Sequence, residues 1–98
     1  MTQFDLAGRT ALVTGAGQNV GRGIARTLAA QGATVLVNDV HSDRADAVVE
    51  EIGATGGVGK AVVFDVTDLD SVKSVLDSAG PVDILVNNAG NGLSLIHI

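Results

Sequence analysis

TGAGQNVGRGIA, Thr14–Ala25, decides how the rest of this chain is read. It is a glycine-rich turn placed directly after an apolar run, TALV at Thr10–Val13, and it leads into residues of helical periodicity. Gly15 and Gly17 allow the backbone to turn tightly and approach a ligand, and Gly21 allows a helix to lie close to the strand before it. Free N–H groups at the amino end of such a helix attract anions. Glycine clusters are common in turns of every kind, so the alternatives are a nucleotide pyrophosphate site and a structural tight turn. The strand-to-helix setting favours the nucleotide.

Outward from that turn, short apolar runs alternate with helix-period segments. TVLV at Thr34–Val37, KAVVF at Lys60–Phe64 and DILV at Asp83–Val86 resemble TALV in being rich in β-branched residues and bounded by Gly, Asp or Asn. Such runs suit strands buried on both faces. Val20, Ile24, Thr27 and Leu28 recur at helical spacing, as do Ala45, Val48, Val49 and Ile52, and then Leu69, Val72, Val75 and Leu76. Gly32 is placed to close the first helix as its C′ residue, and Asp68 to open the third as its N-cap. The order βαβαβαβ requires right-handed crossovers, which gives an α/β fold with an open parallel sheet and helices on its faces. ATGGVG, Ala54–Gly59, is too short for a domain linker, and no internal repeat is visible.

Composition narrows the function classes. Ninety-eight residues make one small domain, and a formal charge of −5 with six scattered basic residues argues against nucleic-acid or anionic-membrane partners. Cysteine is absent, which excludes disulfides, thiol nucleophiles and cysteine zinc sites. No signal peptide opens the chain and no segment approaches a membrane span, so a cytoplasmic protein is expected. No metal site is expected either, because neither His41 nor His97 has a companion at ligand spacing.

Two acidic residues fall at the carboxyl ends of the strands, where open α/β sheets bind ligands. Asp39, closing "VLVND", lies about 20 residues beyond the glycine turn, where a carboxylate accepts from a ribose 2′-hydroxyl and repels a 2′-phosphate. The plainer alternative is an ordinary turn aspartate. No Lys or Arg stands at Gln18 or Val40 to meet a 2′-phosphate, which favours NAD over NADP, although Arg44 is near enough to swing in. Asp65 faces the same edge, either toward an adenine or as a turn residue before the third helix. His41 reads as a solvated loop residue.

These residues together resemble the short-chain dehydrogenase/reductase family. Its Thr-Gly-x-x-x-Gly-x-Gly turn is matched in register by Thr14, Gly15 and Gly21, with Asn19 where the family has its middle glycine. Asn is the non-glycine residue that best tolerates positive φ, so the departure is mild. Asp39 matches the acidic residue of NAD-preferring members, Asp65 and Val66 the adenine-side pair, and NNAG at Asn87–Gly90 the motif ending the family's fourth strand. The resemblance implies a Rossmann-type doubly wound parallel sheet, truncated here after its fourth strand, in the order 3-2-1-4. It implies NAD contacts at Gly15, Gln18, Asn19, Val20 and Gly21, at Asp39, at Asp65 and Val66, and at Asn88, Ala89 and Gly90. It further implies hydride transfer between nicotinamide and a small-molecule carbonyl or alcohol, in a parent protein that forms a homo-oligomer.

The family's acid/base is a tyrosine with a lysine four residues on, and this chain has no tyrosine, while Lys60 and Lys73 both precede NNAG. No catalytic residue is therefore assigned. The expected function is the NAD-binding half of an oxidoreductase; the alternatives are a stand-alone nucleotide-binding module and, more weakly, a methyltransferase. With only four strands, the fourth is expected to form an exposed apolar edge.

Residues 1–92 are read as the N-terminal part of a dinucleotide-binding domain. LSLIHI, Leu93–Ile98, translates CTG TCT CTT ATA CAC ATC, the start of a transposon mosaic-end adapter used in sequencing libraries, and is read as a non-native tail. The alternative is a genuine apolar strand or tail. Resequencing the locus is expected to show a different continuation after Gly92; a native reading frame ending in these six codons removes the adapter reading.

Overall fold

The structure is a computed structural model and describes residues 6–65, 67–88 and 94–97. Along the chain run β1 (Thr10–Val13), α1 (Asn19–Ala30), β2 (Thr34–Asp39), α2 (Ser42–Ala54), β3 (Val58–Val63), α3 (Leu69–Ala79), β4 (Ile84–Asn87) and β5 (Ser94–His97). They form one sheet in the order β3-β2-β1-β4-β5. The four expected strands are parallel and stand in the expected order.

Continuous apolar runs fit the central strands because successive side chains enter two different cores. Ala11, Val13, Val35 and Val37 face α1 and α2, where they pack with Ala25, Ala29, Ala45, Val48 and Ile52. Leu12 and Leu36 point the other way, into a core shared with Phe64, Val82 and the α3 residues Val72, Val75 and Leu76. The first core is the more fully buried: α3 buries no residue completely, whereas α1 and α2 each bury three. No helix among the described residues is long and apolar enough to cross a membrane.

Local punctuation sets the element ends. Gly32 takes φ 101 just beyond α1, with its N–H on the Ala29 carbonyl, as a C′ residue does. Asp68 caps α3 by accepting from the Ser71 N–H at 3.2 Å. Asp83 fixes the relative register of β1 and β4: its carboxylate accepts from the Thr10 N–H at 2.8 Å and its own N–H donates to the Thr10 carbonyl.

Two expectations need correction. β3 starts two residues before the Lys60–Phe64 run and is not buried on both faces; Val58 and Val63 are 54% and 48% exposed. It is an outer strand of the sheet, with a neighbour on one side only, and none of its residues is fully buried. The sheet also does not stop at β4. Ser94–His97 pair antiparallel with it, Asn87 opposite Ser94 and Ile84 opposite His97, so β4 is not the exposed edge that a four-stranded sheet would have left. An open strand edge presents unpaired N–H and C=O groups to any extended chain in reach, and this pairing satisfies them.

Ile52 fills the angle between α2 and the chain entering β3. It is 1% exposed, and its side chain occupies the space where a Cβ on Gly57 or Gly59 would stand. Ile52→Ala is expected to lower unfolding free energy by about 2–5 kcal/mol in urea denaturation, whereas exposed Val58→Thr should change it by less than about 0.5 kcal/mol. Equal effects of the two would show that this core does not carry the stability.

Candidate functional site

Parallel pairing sends the ends of β1, β2, β3 and β4 to one edge of the sheet. The chain leaves β1 there through Thr14–Gly17. Gly15 adopts φ 60, a left-handed conformation that suits glycine. Its N–H donates to Asn38 Oδ1, and its carbonyl accepts from Asn88 Nδ2, both at 3.3 Å. The turn is thus gripped from β2 on one side and from the end of β4 on the other.

Each grip has its own support. Asn38 is 1% exposed and donates both amide hydrogens, to the Val62 and Phe64 carbonyls at 3.0 Å each, while its own carbonyl accepts from the Ala16 N–H. Thr14 holds the other side: its hydroxyl accepts the Asn88 N–H at 2.9 Å and lies 3.3 Å from Asn87 Oδ1. The asparagines of NNAG do join the central strands at this edge.

The glycines sit where side chains have no room. A Cβ on Gly21 would overlap the Gly15 carbonyl oxygen and the Asn88 amide; one on Gly17 would overlap the Asp39 carboxylate and Arg44 Cβ. Asn19, the residue standing where the family motif has glycine, takes φ 55, as its tolerance of that region predicts. Gln18 and Val20 are exposed beside it at the amino end of α1. That end has no side-chain cap and no acidic residue in its first turn, whereas α3 has Asp68 and Asp70 and α2 has Asp43. An uncapped helix start leaves its N–H dipoles available to an anion.

Asp39 closes β2 and is 5% exposed. Its Oδ2 accepts from the Gly17 N–H at 3.1 Å and its Oδ1 from the His41 N–H at 2.9 Å, so the carboxylate reaches the glycine turn directly. Oδ2 keeps a further lone pair for a hydroxyl donor, while Oδ1 also lies 3.2 Å from His41 Nδ1. Asp65 lies on the same edge but spends Oδ1 on the Thr67 N–H and hydroxyl, at 2.9 and 2.7 Å. Those bonds, the backbone one first, hold its carboxyl below the ordinary aspartate range. In the absence of a ligand it is a turn residue. Val66, Ala89 and Gly90 lie outside the described residues. No group of three potential metal ligands occurs among the described residues.

Sequence reasoning missed Asn38. The available signal was a polar residue inside a strand otherwise apolar from Val35 to Val37, where an amide has to find partners or cost free energy.

The chain matches the family model described as short chain dehydrogenase over residues 9–96. It is 45% identical over 91 residues to 7alpha-hydroxysteroid dehydrogenase of Escherichia coli strain K12, covering 89% of this chain and 36% of that protein. To 3-oxoacyl-(acyl-carrier-protein) reductase FabG of the same strain it is 47% identical with the same coverages. The chain thus spans about a third of the length of these curated relatives. Among solved structures, a 7 alpha-hydroxysteroid dehydrogenase complexed with NADH and 7-oxo glycochenodeoxycholic acid superposes with a TM-score of 0.85 at 43% identity, over 91% of this chain and 36% of that one. A metagenomic short-chain oxidoreductase in complex with NADP gives 0.80 at 38%, over 88% and 41%.

The two helical glycines of α1 separate packing from propensity. Gly21→Ala must push α1 away from backbone and is expected to cost about 1–3 kcal/mol, while Gly23→Ala meets nothing within 4 Å and should stabilise by about 0.5–1 kcal/mol. Thermal or urea unfolding of both variants checks the pair; a neutral Gly21→Ala would mean that α1 does not press on the turn.

Proposed function

The chain belongs to the short chain dehydrogenase family, and from that premise we propose that it is the part of an NAD-dependent oxidoreductase that binds the adenosine diphosphate end of the cofactor. The parent enzyme would move hydride between nicotinamide and a carbonyl or alcohol carbon. The observation that carries this reading is the Gly15 turn, gripped by Asn38 and Asn88 and opening onto the uncapped start of α1. A pyrophosphate fits that arrangement because the donors are backbone N–H groups held in place before the ligand arrives.

In this proposal the amides around Gln18, Asn19, Val20 and Gly21 take the phosphates, and Gly15 and Gly21 keep the approach free of side chains. Asp39 accepts from the adenosine ribose, Asp65 and Val66 border the adenine, and Asn88, Ala89 and Gly90 line the side toward nicotinamide. The relatives include one structure with NADH and one with NADP, which supports a nicotinamide cofactor as a class. The preference for NAD rests on Asp39, a buried carboxylate that a 2′-phosphate would have to approach. The cofactor supplies the hydride-accepting ring; the chain supplies binding and orientation.

Residues 1–92 are the proposed N-terminal part of the dinucleotide-binding domain, with 93–98 adapter-derived. The pairing of Ser94–His97 with β4 fits that origin, since an open edge accepts an extended apolar segment whatever its source. A cytoplasmic, homo-oligomeric parent acting on a small molecule belongs to the same proposal.

With no tyrosine in the sequence, no residue is assigned the proton transfer that accompanies hydride transfer, a step whose general acid/base contributes roughly 10²–10⁴ in rate. Calorimetric titration should therefore find ADP and NAD binding to this chain with similar affinity, and an absorbance assay should find no NADH formed from alcohols. NAD binding tenfold or more tighter than ADP, or turnover that follows the purified chain, would overturn the assignment.

A further inference from the structure

We propose that His41 makes the nucleotide preference of this site depend on pH, by placing a positive charge beside Asp39 when its imidazole is protonated. The proposal rests on the reading of Asp39 as the group that meets the adenosine ribose. His41 Nδ1 lies 3.2 Å from Asp39 Oδ1, and the His41 side chain is 54% exposed while that of Asp39 is 7% exposed. The ring is open to solvent and still touches a carboxylate that solvent hardly reaches. A second bond, from the His41 N–H to the same oxygen at 2.9 Å, keeps the residue at that position.

Imidazole is the side-chain type whose charge changes between about pH 5 and pH 8. Neutral, it leaves Asp39 with its full negative charge, and a 2′-phosphate is repelled. Protonated, both ring nitrogens donate, the contact becomes an ion pair, and the Asp39–His41 unit carries no net charge. Discrimination against a 2′-phosphate therefore weakens as pH falls.

The other charged groups around this point do not supply that change. Arg44 and Asp43 on α2 and Asp65 beyond β3 are a guanidinium and two carboxylates, types that keep their charge near neutrality. The amino end of α1 presents Gln18, Asn19 and Val20, and Arg22 behind them is paired with Glu51 at 2.6 Å. The ligand itself does titrate, since a phosphate monoester takes up its second proton near about pH 6. Any test has to separate that from the histidine.

NAD and NADP differ only in the 2′-phosphate, so their affinities are measured by calorimetry on this chain and on His41→Gln and His41→Arg, at about pH 6 and about pH 8. The NAD-over-NADP affinity ratio of the chain should fall by about two- to fivefold more than that of His41→Gln on going to the lower pH. His41→Arg, positive throughout, should show the low ratio at both. A pH response of the same size in His41→Gln would assign it to the phosphate and overturn the proposal, with the nucleotide-binding reading intact. Binding of neither nucleotide would instead overturn the reading beneath it, and the proposal with it.

Discussion

Gly15 is held at φ 60 by two asparagines from opposite sides of β1, and the geometry of the whole strand-end surface follows from that grip. Asn38 reaches it from β2 with its amide oxygen while its two amide hydrogens tie the end of β3; Asn88 reaches it from the end of β4 while Thr14 holds the Asn88 N–H. Four strand ends are joined through one glycine. An alanine there would have to adopt the left-handed region at a cost of roughly 1 kcal/mol or more. Side-chain amides suit this task because each carries both donors and an acceptor, so one residue bridges several strands without burying a charge.

The same economy appears in the packing. Small residues stand where β1 and the turn after it meet α1, Ala11 and Ala16 with Ala25 and Ala29, and Gly21 lies close against the Gly15 carbonyl. Bulk returns farther along the sheet, where Val48 and Ile52 of α2 cover β2 and β3. The glycine motif is thus a packing device, and in the proposed nucleotide reading the same residues also face the phosphates.

Most of this was legible in the sequence because it is repeated at several levels. β-branched runs, helical spacing, Gly32 and Asp68 agree on the same elements, and the order of the four parallel strands follows from their crossovers together with the family resemblance. What escaped depends on neighbours that a linear pattern does not reveal. KAVVF looks as apolar as TVLV, yet β3 has one strand beside it and β2 has two, so only β2 is buried along its length. Asn38 looks like a boundary residue next to Asp39 until its three partners, from 23 to 26 residues away, are brought together. The bonds from Thr67, two residues on, to Asp65 Oδ1 are likewise a local turn that the linear pattern leaves open beside the adenine-side reading.

A chain of net charge −5 is an unpromising host for an anionic ligand if attraction is judged from the whole molecule. In the proposed reading, the strand edge offsets this by acting at short range. Its donors are backbone N–H groups at an uncapped helix start, which carry partial positive charge within the first turn and need no arginine or lysine. The acidic excess is kept off that turn: Asp43, Asp68 and Asp70 lie at the starts of the other two helices. The one buried carboxylate near the turn, Asp39, points at the Gly17 N–H, so it meets a donor rather than the space over the helix start. A ligand whose negative charge lies over α1 and whose neutral hydroxyls lie beside Asp39 satisfies both regions, whereas one carrying charge at both ends satisfies only the first. In the proposed nucleotide reading, that asymmetry is what would favour a cofactor with a free ribose 2′-hydroxyl over one carrying a 2′-phosphate.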